Sequence, residues 1–311
     1  YRTVDGRSFG LRTDEVETAI AEADLFLNVS GACVVRPRYR ELARRMALID
    51  TDPGWNHFVE YAKWDRGERW VNDPTILGYR DHDVFFTYAE LIGTPACGLP
   101  ALGLSWHPTR PPVALDRWGP EPPGTTWTTV MTWDNFRRPI EHDGRVYGTK
   151  ELEFPRVEAL PRATSIPLEI AVGGNTAPRD RWRALGWSVA EAADVSQTAD
   201  AYRSYVQRSR GEFSVAKNVY VATHSGWFSC RSVCYLAAGR PVVVQDTGFT
   251  ERIATGCGLL AWTTADEARA SIEAVERDYD AHARAARQVA EREFAAERVL
   301  GDLLQRAEVG G

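Results

Sequence analysis

The chain alternates short runs of apolar and β-branched residues with stretches whose apolar positions recur every three or four residues. The first pattern fits strands and the second helices, so their alternation predicts α/β layering rather than a sandwich or a bundle. Residues 16–23 carry the helical pattern and lead to a strand at 24–30 (DLFLNVS). A helix at 39–45 leads to a strand at 46–50 (MALID), which Thr51-Asp52-Pro53-Gly54 closes as a turn. Further strands are expected at 83–87 (DVFFT) and 126–132 (TWTTVMT). Such nearly continuous apolar runs suit strands covered on both faces.

The pattern breaks between 95 and 124, where proline and glycine are dense and irregular structure is expected. It breaks again over 147–167, then restarts with a strand at 167–172, Gly173-Gly174 and a helix at 177–185. A helix at 199–208, a strand at 219–222, a helix at 229–238 and a strand at 241–245 follow. The segment 265–305 reads as almost wholly helical, with Ile272, Val275, Tyr279, Ala286, Val289 and Phe294 on one apolar face. Two domains are expected, 1–155 and 156–311, as suits a chain of 311 residues. A doubly wound sheet opens on a strand and a glycine-rich turn. Here polar sequence runs straight into the helix at 16–23, so the first domain is expected to lack its first strand–helix unit.

Composition narrows the function classes. An apolar share of 44% with 26% charged residues describes an ordinary globular protein. The net charge of -6 argues against a general nucleic-acid binder, and no nucleic-acid partner is expected. No apolar run approaches the roughly 18–20 residues that span a bilayer, so no transmembrane segment is expected. The polar opening YRTVDGR has no secretory character. Cys33, Cys97, Cys230, Cys234 and Cys257 have no metal-type spacing and are expected to be packed free thiols of a cytoplasmic protein. Lysine occurs only at 63, 150 and 217 in an arginine-rich chain.

The most informative segment is 209–249, SRGEFSVAKNVYVATHSGWFSCRSVCYLAAGRPVVVQDTGF. The turn at 223–229 is expected to deliver a strand into a helix, a place where free N–H groups and the helix dipole hold phosphate. Gly226 would let the backbone approach an anion, Ser225 or Ser229 would cap the helix, and Arg231 would add a charged donor one turn in. Asp246, Thr247 and Gly248 follow the next strand and so reach the same sheet edge. A blander reading makes Trp227 and Phe228 core anchors, Lys217 and Arg210 solvated charges, and Gly239 a helix C-cap.

The run Leu236-Ala-Ala-Gly-Arg-Pro-Val-Val-Val-Gln-Asp-Thr-Gly248, with GWFS before it, resembles the donor-binding region of bacterial GT-B glycosyltransferases of the broad family-1/family-4-like group. The resemblance spans about 165–300 and is only topological before that. It implies two Rossmann-like domains with parallel sheets facing an interdomain cleft. It also implies an enzyme that moves a sugar from a nucleotide-diphosphate sugar to a small-molecule or envelope acceptor. UDP-sugars come first among the donors it implies, with dTDP- and GDP-sugars as alternatives. By position, Ser225, Gly226, Arg231 and Gly248 inherit contacts to the diphosphate, and Lys217 is a phosphate cation. The glutamate pair usual in family-4 enzymes is absent, since its positions fall on Gly226 and Cys234. Glu212 or Asp246 are then the candidates for ribose and sugar recognition, beside Trp227, Ser229 and Thr247.

In this arrangement a base projects from the first domain into the cleft, which makes Asp50, Asp52 and Glu90 the candidate catalytic carboxylates. Asp50 to Gly54 is equally good turn chemistry, and Glu90 equally suits a helix start. No cofactor and no metal site are expected, because dipoles and side chains neutralise the leaving diphosphate in the resembling enzymes. The alternatives are a nucleotide-sugar epimerase or phosphorylase of the same shape and a non-catalytic two-domain sugar-binding protein.

Overall fold

A computed structural model describes residues 7, 9–67, 77–134 and 139–308. The polar opening at 1–6 lies outside the described residues. Among the described residues, two all-parallel sheets and one small hairpin make up the strands. The first sheet contains β1 (Phe26–Val29), β2 (Met46–Asp50), β3 (Val84–Thr87) and β4 (Trp106–Pro108), in that order. The remaining strands are β5 (Trp127–Thr132), the hairpin β6 (Ile140–His142) and β7 (Arg145–Tyr147), β8 (Leu168–Gly173), β9 (Ser188–Glu191), β10 (Gly211–Ser214), β11 (Val242–Gln245) and β12 (Leu259–Trp262). The second sheet runs β12-β11-β10-β5-β8-β9. Read from β5, this is the doubly wound order in which the winding reverses between β5 and β10. Each sheet belongs to a Rossmann-like α/β domain, and a cleft lies between the two.

Strands form where the apolar runs predict them. All five residues of β2 and all four of β11 are buried. The second domain is organised by large aromatics, with Trp127, Trp182, Trp187, Phe154, Phe213 and Trp262 in one core cluster.

Several expectations change in three dimensions. The strand at 126–132 belongs to the second sheet, pairing with β8 and β10, so the change of sheet falls between Pro108 and Trp127. The segment at 219–222 is helical (Asn218–Ala222) rather than a strand, and the actual strand is Gly211–Ser214. Three β-branched or aromatic residues in a row satisfy either pattern, and burial of the one turn on the Phe58 and Ala89 cluster decides for helix. Within 95–124 the irregular segment hides the edge strand β4. The terminal helical stretch is three helices, Ala265–Arg277, Tyr279–Glu293 and Ala296–Arg306. The second break, at 294–295, is pinned where Val113 N–H donates to Phe294 O and Ala296 N–H to Val113 O. There the chain crosses back, and Leu303 and Ala307 of the last helix pack on Ala47, Ile49 and Phe86 of the first sheet.

Among the described residues, no helix is long and apolar enough to cross a membrane. The five cysteines are unpaired, but Cys230 and Cys257 are exposed rather than packed.

Candidate functional site

The β5 and β10 strands pair only through Gly211–Trp127 and Glu212–Thr128, then part. That parting opens a crevice at the carboxyl edge of the second sheet, at the point where α/β sheets bind ligands. Arg231 sits across it. Its Nε donates to Glu212 Oε1 at 2.5 Å and its Nη1 to Val130 O at 2.9 Å, a β5 carbonyl that β10 no longer reaches. Glu212 is fully buried, and its other carboxylate oxygen has no hydrogen-bond partner among the described residues.

The helix Cys230–Ala237 begins beside the crevice. Ser229 is its N-cap, accepting from the Arg231 N–H at 3.2 Å. A small cavity of about 20 Å³ lies there and opens to solvent; Ala216, Trp227, Ser229, Arg231, Ser232 and Thr247 are among its walls. The hydroxyl of Ser232 is buried beside it with no hydrogen-bond partner among the described residues. The turns at 223–229 and 246–248 are in contact, since Gly226 N–H donates to Thr247 O at 2.8 Å and Thr247 Oγ1 to Trp227 O at 2.6 Å. Asp246 holds the second turn by accepting from Gly248 N–H and Thr250 Oγ1.

Gly226 serves packing rather than backbone approach to an anion. Its φ is +76°, its N–H is already used, and a Cβ would lie 2.9 Å from Leu91 Cγ of the first domain. Gly226→Ala is therefore expected to cost about 1–3 kcal/mol of stability, read as a lowered midpoint in urea unfolding. An unchanged midpoint would refute that packing role. Ser225 is likewise buried, its Oγ donating to Tyr220 O and accepting from Trp227 N–H.

The first domain meets this edge with its own strand ends. Lys217, three residues beyond β10, donates to both oxygens of Asp52 at 2.8 Å, and the Tyr220 hydroxyl also donates to Asp52. Trp227 Nε1 donates to Thr51 O at 3.1 Å. Asp50 is buried beneath Asp52. It accepts from Asn56 Nδ2 at 2.8 Å and faces His57 Nε2 at 2.8 Å, while His57 Nδ1 donates to Pro100 O. Glu90 lies apart from these groups, gripped by Arg110 at 2.7 and 3.0 Å; Arg110 also bonds Glu293 at 2.5 Å. The structure thus brings Asp52, Lys217, Trp227, Ser229, Arg231, Thr247 and Glu212 around one crevice. Asp50 stands behind them, and Glu90 is held in an interdomain strut.

One cation escaped the motif reading. Lys150 is buried, and no ion pair to it occurs among the described residues. Burial first, then the nearby charges of Arg231 and Lys217, bring its amine down to about 7. The surrounding network explains how it is held. Asn218 N–H donates to Thr149 O, Asn218 Nδ2 to Glu153 Oε1, and Gln245 Nε2 to Glu153 Oε2, while Gln245 Oε1 accepts from Ala216 N–H. The loop carrying Lys150 is thereby laced to the ends of β10 and β11. The available signal was scarcity, because two of the three lysines in the chain meet here. Among the described residues no cluster of three His, Cys, Asp or Glu side chains is placed to hold a metal ion.

No family model matches the sequence, and no curated protein matches it. Solved structures do match in shape. An alpha-glucosyltransferase in complex with UDP-glucose and DNA containing an abasic site superposes with a TM-score of 0.61 at 9% identity, over 95% of this chain and 83% of that one. HepE from Anabaena in complex with UDP and glucose gives 0.59 at 12% identity, over 95% and 80%. The fold is GT-B. At these identities the likeness establishes the architecture, two Rossmann-like domains about a cleft, and not a subfamily. It also overturns the expectation that no nucleic acid is involved. A GT-B chain of this shape was crystallised with DNA, so an acidic net charge does not remove nucleic acid from the partners open to the fold.

Proposed function

We propose that the protein is a glycosyltransferase that takes a sugar from a nucleoside-diphosphate sugar, with a UDP-sugar as first choice and dTDP- or GDP-sugars as alternatives. One observation carries this reading: Lys150, Lys217 and Arg231 converge at the switch point of the second sheet, next to the N-terminus of the helix Cys230–Ala237. A buried lysine with no ion pair among the described residues is costly unless an anion compensates it, and a diphosphate would do so. The GT-B architecture and the UDP bound in the two similar structures support the same choice.

Of the three carboxylates, Asp52 is the one placed to act. Its side chain is 41% exposed at the cleft, whereas Asp50 is buried against His57 and Glu90 is held by Arg110. In this reading the donor diphosphate draws Lys217 away from Asp52. The freed carboxylate takes the proton of the acceptor hydroxyl as that oxygen bonds the sugar carbon. The bond from that carbon to the diphosphate breaks, and the departing oxygens keep the electron pair beside Lys150, Lys217 and Arg231. These cations take the place that a divalent ion fills in other transferases, so the reaction is proposed to run without metal.

Thermal unfolding with UDP, dTDP and GDP in the presence of a chelator tests the donor assignment. A ligand at a hundred times its Kd should stabilise the protein by about 2.7 kcal/mol. If none of the three shifts the transition while free phosphate or sugar does, the transferase reading fails.

A further inference from the structure

The turn after β2 brings Asp52 to the donor crevice, and two stacked rings of the second domain hold that turn. Tyr220 and Trp227 lie with their ring centroids 4.2 Å apart. Trp227 Nε1 donates to Thr51 O at 3.1 Å, and the Tyr220 hydroxyl donates to the carboxylate of Asp52 beside it. Lys217 is the N-cap of the short helix Asn218–Ala222 and Tyr220 lies three residues on, a spacing that puts both on one side of the helix. Both side chains end on Asp52, with Lys217 Nζ 2.8 Å from each carboxylate oxygen. Among the described residues these two supply the side-chain donors to that carboxylate.

The two donors differ in what an incoming anion can take from them. Lys217 carries a charge, and a diphosphate competes for it with Asp52. Tyr220 is buried, and burial first, then the Asp52 charge, lifts its hydroxyl well above the ordinary value. It therefore stays a neutral donor, with no charge for a diphosphate to claim. When Lys217 turns to an anion, Asp52 is left on the tyrosine.

We propose that Lys217, Asp52 and Tyr220 form a counter-ion gate: Asp52 competes with the donor for Lys217, and Tyr220 is the positioning residue that keeps Asp52 in place once Lys217 has left. The gate rests on the transferase reading and adds a regulation to it. Without donor, the carboxylate is occupied and masked as a base. The competing state lowers the apparent affinity for the donor. An acceptor hydroxyl that donates to Asp52 in place of Lys217 relieves that competition. Donor and acceptor therefore strengthen each other's binding by the same factor.

The test is binding of UDP, with inorganic pyrophosphate beside it, by calorimetry at fixed ionic strength. The proteins are the full chain as wild type, Asp52→Asn, Tyr220→Phe and the double variant. Asp52→Asn removes the competing charge and should tighten both ligands about tenfold. Tyr220→Phe takes away the donor that remains after Lys217 departs, and should weaken both about fivefold. In the Asp52→Asn background the same change should matter by less than about twofold, a non-additivity that a packing role does not produce. Equal weakening in both backgrounds overturns the positioning role of Tyr220. Ligands bound no more tightly by Asp52→Asn than by the wild type overturn the gate and leave the donor reading standing. Should Tyr220→Phe fail to fold, Asp52→Asn, at a half-exposed side chain, still decides the gate. Neither ligand bound by any of the proteins overturns the donor reading, and the gate with it.

Discussion

Lys150→Met is expected to make the protein more stable near pH 7 and below, and at the same time to lower its affinity for UDP about 10- to 100-fold. The two effects share one cause. The amine has an ordinary value of 10.5 and is brought to about 7 by burial and by Arg231 and Lys217. A shift of that size represents on the order of 3–5 kcal/mol of unfavourable burial of the charged form. Because the folded value is depressed for a base, the unfolded chain holds a proton that the folded protein lacks between about pH 7 and 10.5. The wild type should gain stability as pH rises through that window and should carry the full cost below it. Methionine has no such cost, so the variant's advantage should be largest below pH 7 and shrink towards pH 10. Loss of a charge-assisted contact worth about 1.5–3 kcal/mol sets the loss of UDP affinity. For the same reason UDP binding to the wild type near pH 8 should take up a proton, seen as a calorimetric enthalpy that depends on the buffer. Full UDP affinity in Lys150→Met would remove the lysine from the donor site.

The second large effect is at Arg231. The sequence marks this arginine as a donor contact, and its geometry adds a structural role. Arg231→Ala strands Glu212 as a buried carboxylate with no counter-charge and frees the Val130 carbonyl, so stability should fall by about 3–5 kcal/mol. The double variant Arg231→Met with Glu212→Gln removes both charges and should recover most of that loss, while UDP binding stays weak. Urea unfolding of the two single variants and the double variant measures the coupling. A double variant no more stable than Arg231→Ala would mean that the pair is not what holds the crevice together.

Much of the architecture could be read along the chain, since periodicity reports which face of an element is buried. The apolar runs at 46–50 and 241–245 became fully buried strands, and Ser229 caps its helix as its residue type and place suggest. Asp52, Lys217, Arg231 and Glu212 were picked out by chemistry and do gather at one crevice. The sequence could not say how they would be used. Lys217 and Asp52 are 165 positions apart, and Arg231 meets Glu212 across a strand whose existence the pattern missed. Pattern alone placed residues 126–132 with their neighbours in the chain. Pairing placed them at the centre of the other sheet, because a parallel strand gains its partners from distant segments. Local alternation of apolar and polar residues therefore determined the layers. Only the tertiary structure decided which charges neutralise one another and which, at Lys150, is buried with no ion pair among the described residues, because burial and charge pairing depend on distances through space that sequence separation does not encode.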